Sequence, residues 1–166
     1  MKNSVVEAVN SQVQAELESA YIYLGMSVRM ETLNLPGFAS WLRIQWGEEI
    51  AHAMKFIDFM IHRNEEVELG AIKEPKVKFS SPLEAFEAVL EHEQYITDRI
   101  DKLYALAVKE SDYPLQTLLQ WFIDEQVEEE ENARKVIDSL KLVGDEGPGL
   151  FMLDREMGSR GSAGGE

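Results

Sequence analysis

Residues 47–56 read GEEIAHAMKF, with Glu48 and Glu49 side by side and His52 three positions after the second. The flanks are apolar or small, and no turn signal interrupts them. Leu42, Trp46, Ala53, Phe56 and Met60 recur at helical spacings and are expected on one face. Glu49 falls between Leu42 and Phe56 at heptad spacing, and His52 at i+3 shares its side. A carboxylate and an imidazole thus stand in a stripe that otherwise reads as core.

Outward from this stretch the helical period continues. A first helix is expected over about 4–33, carrying Val9, Val13, Leu17, Ala20 and Leu24 and ended by Leu35-Pro36-Gly37. The second covers about 38–64. Residues 65–80, EEVELGAIKEPKVKFS, have a mixed pattern with a faint hint of strand and read as a long connection. Ser81-Pro82 opens a third helix, and Glu84 completes the spacing of a capping box. That helix runs to about 110, with Phe86, Val89, Leu90, Ile100, Leu103 and Ala107 inside. After Ser111-Asp112-Tyr113-Pro114 a fourth runs to about 142, with Leu115, Leu118, Leu119, Phe122, Ala133, Val136 and Leu140 inside.

The fold class is therefore all-α. Helices of about 27 residues span roughly 40 Å, and sixteen extended residues reach roughly 50 Å, so the middle connection can run the length of a bundle. An antiparallel four-helix bundle with one long crossover follows. Residues 1–145 are expected to form it, 146–157 a short C-terminal helix, and the glycine-rich 158–166 a disordered tail.

Every helix puts a carboxylate into its apolar stripe. Glu16 lies at +7 and +3 from Val9 and Val13, and Tyr23 follows at +7. Glu93 stands between Phe86 or Leu90 and Ile100, and Gln126 and Glu129 continue the row of Leu115, Leu119 and Phe122. At about 1.5 Å per residue, all four positions fall within one or two turns of the same level. Four buried carboxylates without compensation would not be tolerated. Arg43, Lys55 and Arg134 lie a turn or more away, which leaves a bound cation. Four carboxylates and one imidazole make a hard, oxygen-rich set suited to iron or manganese. Two divalent ions balance about four negative charges, and Glu with Glu-x-x-His is half of the di-iron carboxylate pattern. In this reading Glu49 bridges two ions and His52 holds one.

Singly, each residue has a plainer reading: Glu-x-x-His as a surface pair, Tyr23 and Trp121 as core aromatics. It is their coincidence at one level that favours metal. Glu48, Glu125 and Glu128 flank the inner row, either as a solvated acidic face or as an outer or third metal position.

The whole chain is consistent with this. Its 166 residues hold 31 acidic against 16 basic side chains, a formal net charge of −15 that repels nucleic acid and anionic membranes and attracts cations. The absence of cysteine excludes disulfides and thiolate metal sites. No apolar signal core opens the chain, and no run approaches the ~18 apolar residues of a membrane span, so a cytoplasmic protein is expected.

QVQAELESAYIYL, WLRIQWGEEIAHAMKF, LEHEQYITDRI and DYPLQTLLQWFIDEQVEEE resemble the non-haem ferritins of bacteria and archaea, in order over about residues 4–143. The resemblance implies an antiparallel four-helix bundle with a short fifth helix, and 24 identical subunits forming a hollow shell. It implies iron storage, with iron(II) oxidised at a di-iron ferroxidase centre by dioxygen or hydrogen peroxide. One iron would sit on Glu16, Glu49 and His52, the other on Glu49, Glu93 and Glu129, with Gln126 close by and Tyr23 touching the centre. Glu48, Glu125 and Glu128, with Glu129, match a third iron site. Gln126-x-x-Glu129 stands where bacterioferritins carry Glu-x-x-His, and Ile50 and Ala51 stand where their haem-binding methionine lies, so no haem of that kind is expected. The segment after GDEGPG departs from the family in being short and glycine-rich, which bears on the shell's fourfold axis.

Overall fold

The computed structural model describes residues 1–160. The helices are α1 (Asn3–Thr32), α2 (Pro36–His62), α3 (Pro82–Lys109), α4 (Tyr113–Val143) and α5 (Pro148–Met157). They form the all-α bundle of four long helices expected from the helical period, with α1 packed on α2 and α3 on α4.

Two hydrophobic clusters occupy the two ends of the bundle. One contains Met26, Met30, Phe38, Leu42, Phe86, Val89, Ala133 and Leu140. The other contains Val9, Val13, Phe56, Met60, Ile96, Ile100, Leu119 and Phe122. Each long helix passes from one cluster to the other through its carboxylate: Glu16 between Val13 and Tyr23, Glu49 between Leu42 and Phe56, Glu93 between Val89 and Ile96, Glu129 between Phe122 and Ala133. The order of clusters makes α1 antiparallel to α2 and α3 antiparallel to α4. It leaves α2 and α3 parallel, which only a full-length crossover can connect.

That crossover holds no strand, contrary to the hint at 65–80. Side chains of α1 satisfy its backbone where a partner strand would otherwise be needed. Asn10 donates to Glu66 O at 3.2 Å and accepts from Glu68 N at 2.9 Å. Gln14 donates to Ala71 O at 2.7 Å and accepts from Gly70 N at 3.1 Å, and Arg29 Nε donates to Phe79 O at 2.7 Å.

Trp46 is not on the inner face of α2 but 40% exposed. The buried row alternates spacings of three and four through Leu42, Gln45, Glu49, His52 and Phe56, which turns Gln45 inward and Trp46 out. The capping box at α3 also closes differently. Ser81 Oγ accepts from Glu84 N at 3.2 Å as expected, but the Glu84 carboxylate accepts from Ser80 N, at 2.8 Å, one residue early.

The fifth helix is docked firmly despite its glycines. Leu153 and Met157 enter the first cluster. The buried Asp154 carboxylate accepts from Gly37 N at 2.9 Å and Phe38 N at 3.0 Å, capping α2, whose own N-cap Leu35 supplies no side-chain cap. Gly37 is required for this approach: a Cβ there would meet Asp154 O at 1.6 Å. Residues 158–160 of the expected tail form a turn, and 161–166 lie outside the described residues.

Candidate metal centre

The residues singled out on the four stripes converge between the two apolar clusters. Glu16, Glu49, His52, Glu93, Gln126 and Glu129 are each at most 4% exposed, and Tyr23 is fully buried. One ligand atom from each of Glu16, Glu49 and His52 lies within 4.8 Å of the others, and the same holds for His52, Glu125 and Glu129. His52 belongs to both groups: its Nδ1 is 3.5 Å from Glu49 Oε2 and its Nε2 3.8 Å from Glu125 Oε1.

Neighbouring side chains orient the carboxylates. The Tyr23 hydroxyl donates to Glu93 Oε1, and Gln126 Nε2 donates to Glu93 Oε2 at 3.2 Å. Gln12 Nε2 donates to Glu16 Oε1 at 2.7 Å, and Gln45 Nε2 to Glu129 Oε2 at 2.7 Å. Glu16 Oε2 is buried with no amide, hydroxyl or cation donating to it. An uncompensated buried carboxylate oxygen is costly unless it is protonated or meets a cation.

The electrostatics agree. Burial, aided by Glu93, raises Glu16 to about 7 and Glu129 to about 8. Burial and the neighbouring carboxylates hold Glu49 well above its ordinary range, and burial also raises Glu93. The metal-free centre therefore carries protons that a metal displaces. His52 moves the other way: burial, then the Lys55 ammonium, lowers it to about 4, keeping the imidazole neutral as a ligand must be. These are hard oxygen donors and one imidazole, and they fit iron.

The outer carboxylates are less enclosed. Glu125 and Glu48 are half-buried and Glu128 is exposed. Burial, then repulsion from Glu128 and Glu48, raises Glu125; burial raises Glu48 although Arg160 opposes it.

Four polar partners escaped the sequence pattern. Gln12 and Gln45 are buried at i−4 from Glu16 and Glu49, a spacing visible in the chain but ordinary for glutamine. Arg99 reaches Gln12 with Nε at 3.0 Å, and Arg160 reaches Glu48 at 3.0 Å. Cations thus approach the rim, although neither replaces the compensation that the inner carboxylates require. His92 is also near, with its ring edge-on to Tyr23 at 6.2 Å and Nε2 2.7 Å from Ser19 Oγ. Burial lowers it to about 4, and no periodic signal marked it.

A four-helix bundle with a long crossover and a buried layer of carboxylates, one histidine and no thiolate belongs to the ferritin-like class. A model of the ferritin-like domain matches residues 6–143. The chain belongs to the ferritin family. It is 37% identical over 153 residues to the bacterial non-heme ferritin of Bacteroides fragilis, covering 92% of this chain and 95% of that one. It is 36% identical over 155 residues to that of Campylobacter jejuni, with 93% of each chain covered. The open-pore ferritin of the hyperthermophilic archaeon Archaeoglobus fulgidus superposes with a TM-score of 0.94 at 43% identity, over 96% of this chain and 98% of that one. No described helix is long and apolar enough to cross a membrane.

Proposed function

We propose that this protein stores and detoxifies iron, oxidising iron(II) at an intrasubunit di-iron ferroxidase centre and holding the ferric product inside a shell. The observation that carries this is the Glu16–Glu49–His52 constellation, buried at one level, with a Glu16 carboxylate oxygen that no amide, hydroxyl or cation meets. Iron(II) is substrate here, not a resident cofactor.

Glu16, Glu49 and His52 bind one ion; Glu49, Glu93 and Glu129 bind the other, with Gln126 steadying Glu93. Four carboxylates match the charge of two iron(II) ions. As hard anions they favour iron(III) over iron(II), which drives oxidation. Each iron gives up one electron. Dioxygen takes two electrons and two protons to become hydrogen peroxide, and peroxide takes two more of each to become water. Tyr23 holds Glu93 in place through its hydroxyl. Glu48, Glu125 and Glu128, with Glu129, make a third iron position.

Assembly into a homo-oligomer of 24 subunits fits the apolar side chains left uncovered on one subunit, among them Val28, Ile61, Leu69, Ile72, Leu142 and Phe151. A cytoplasmic setting fits the cysteine-free chain. The test of storage is aerobic loading of the metal-free protein with a large excess of iron(II), followed by size-exclusion chromatography. Storage predicts ferric iron co-eluting with a large assembly; a ferric precipitate and iron-free protein would contradict it.

A further inference from the structure

Arg160, just past α5, closes a chain of contacts that reaches the centre. Its Nη2 lies 3.0 Å from Glu48 Oε2, its Nη1 donates to Gln45 Oε1, and its guanidinium stands 4.4 Å from the Trp41 ring centroid. Gln45 in turn donates from Nε2 to Glu129 Oε2 at 2.7 Å. The position is built rather than incidental, because Asp154 anchors α5 on the first residues of α2 and Met157 sits in the core.

We propose that Arg160 is a tethered counter-cation that competes with a metal ion for Glu48 and, through Gln45, positions Glu129. This rests on the reading of Glu48, Glu125, Glu128 and Glu129 as a third metal position.

The chemistry of the groups supports a competition. A guanidinium keeps its charge at any working pH, so a metal gains Glu48 by displacing Arg160, not by waiting for it to deprotonate. The pair is part-exposed, with side chains 25% and 38% accessible, so water screens it and a divalent ion drawing on several carboxylates can displace it. Gln45 has one carbonyl and one amide nitrogen. With its oxygen held by Arg160 and its N–H by Glu129, the amide is fixed from both ends; losing Arg160 leaves it held by Glu129 alone, so Glu129 is less firmly placed. Arrival of metal at Glu48 and relaxation of Glu129 are then linked events.

The test is calorimetric titration of the metal-free assembled protein with zinc(II), which binds without oxidation. Wild type, Arg160→Ala, Arg160→Lys and Glu48→Gln are compared. The expected result is two tight zinc ions per subunit in all four, the ion on Glu129 held somewhat less tightly in Arg160→Ala because Gln45 is then less firmly placed. A third, weaker ion should bind about fivefold more tightly in Arg160→Ala, less so in Arg160→Lys, and be lost in Glu48→Gln. A crystal structure with zinc should then show the ion on Glu48 and Arg160 moved off it. Equal affinity for the third ion in wild type and Arg160→Ala overturns the proposal. So does a zinc ion on Glu48 with Arg160 still in contact, or the absence of a third ion from every variant. Loss of the two tight ions in wild type would instead overturn the di-metal reading.

Discussion

His52 faces Glu49 with one ring nitrogen, 3.5 Å from Oε2, and Glu125 with the other, 3.8 Å from Oε1. One imidazole therefore joins the inner carboxylates to the outer ones. Replacing it by alanine removes a neutral ligand and leaves a gap between the inner and outer acids. His52→Ala should oxidise two iron(II) per subunit about tenfold or more slowly, read by stopped-flow absorbance. Binding of two zinc ions should weaken in parallel. An unchanged rate would remove the histidine from the site.

The raised acids make the metal-free protein pH-sensitive. Glu16 and Glu129 stand at about 7 and about 8 in the fold, against an ordinary 4.5. The native state thus binds more protons than the unfolded chain between those values. The sign follows: their contribution to stability is full below about 4.5 and is lost as pH rises through 7 and 8. The metal-free protein should melt at a lower temperature at pH 8.5 than at pH 6. Zinc should abolish that difference, because bound metal replaces the protons. Thermal scans with and without zinc check both parts.

Metal binding should release protons for the same reason. Titrations at pH 7 in buffers of different ionisation enthalpy should give apparent enthalpies that differ by the protons released. A buffer-independent enthalpy would contradict the protonated resting state of Glu49 and its neighbours.

Tyr23 and Gln126 both donate to Glu93. Tyr23→Phe leaves one carboxylate oxygen without its donor in a buried setting, at a cost of about 1–3 kcal/mol to the metal-free fold. The loss should shrink when zinc occupies the centre, since the ion then compensates Glu93. Comparing the melting shift with and without zinc measures this.

The end of the bundle offers a test independent of metal. Asp154→Ala removes the cap that α5 gives α2 and should destabilise by about 1–2 kcal/mol in denaturant unfolding. Gly37→Ala should be worse, since its Cβ would collide with backbone at Asp154 and displace α5.

Much of this was legible in the chain because period and level are local quantities. The helical repeat placed Glu16, Glu49, Glu93 and Glu129 on inner faces, and counting residues from the turns put them at one height. What stayed hidden depends on contacts across the fold. Nothing near Arg160 in sequence points to Glu48, 112 residues away, nor does anything near Asp154 point to Gly37. Trp46 was misjudged because both i+3 and i+4 lie near Leu42 on a helix, and the buried row takes the polar Gln45 at i+3 rather than the apolar Trp46 at i+4. The crossover was read correctly as a long connection, but its faint strand hint came to nothing because Asn10, Gln14 and Arg29 supply what a strand partner would have supplied.

The central claim is that the buried layer oxidises iron, and Glu49 is its shared carboxylate. The direct measurement is aerobic oxidation of iron(II), at about two ions per subunit, by the metal-free wild type and by Glu49→Ala. The account predicts fast oxidation in the wild type that the variant loses while keeping its assembly. Equal, slow oxidation in both would contradict it and leave the carboxylates as a binding or structural feature.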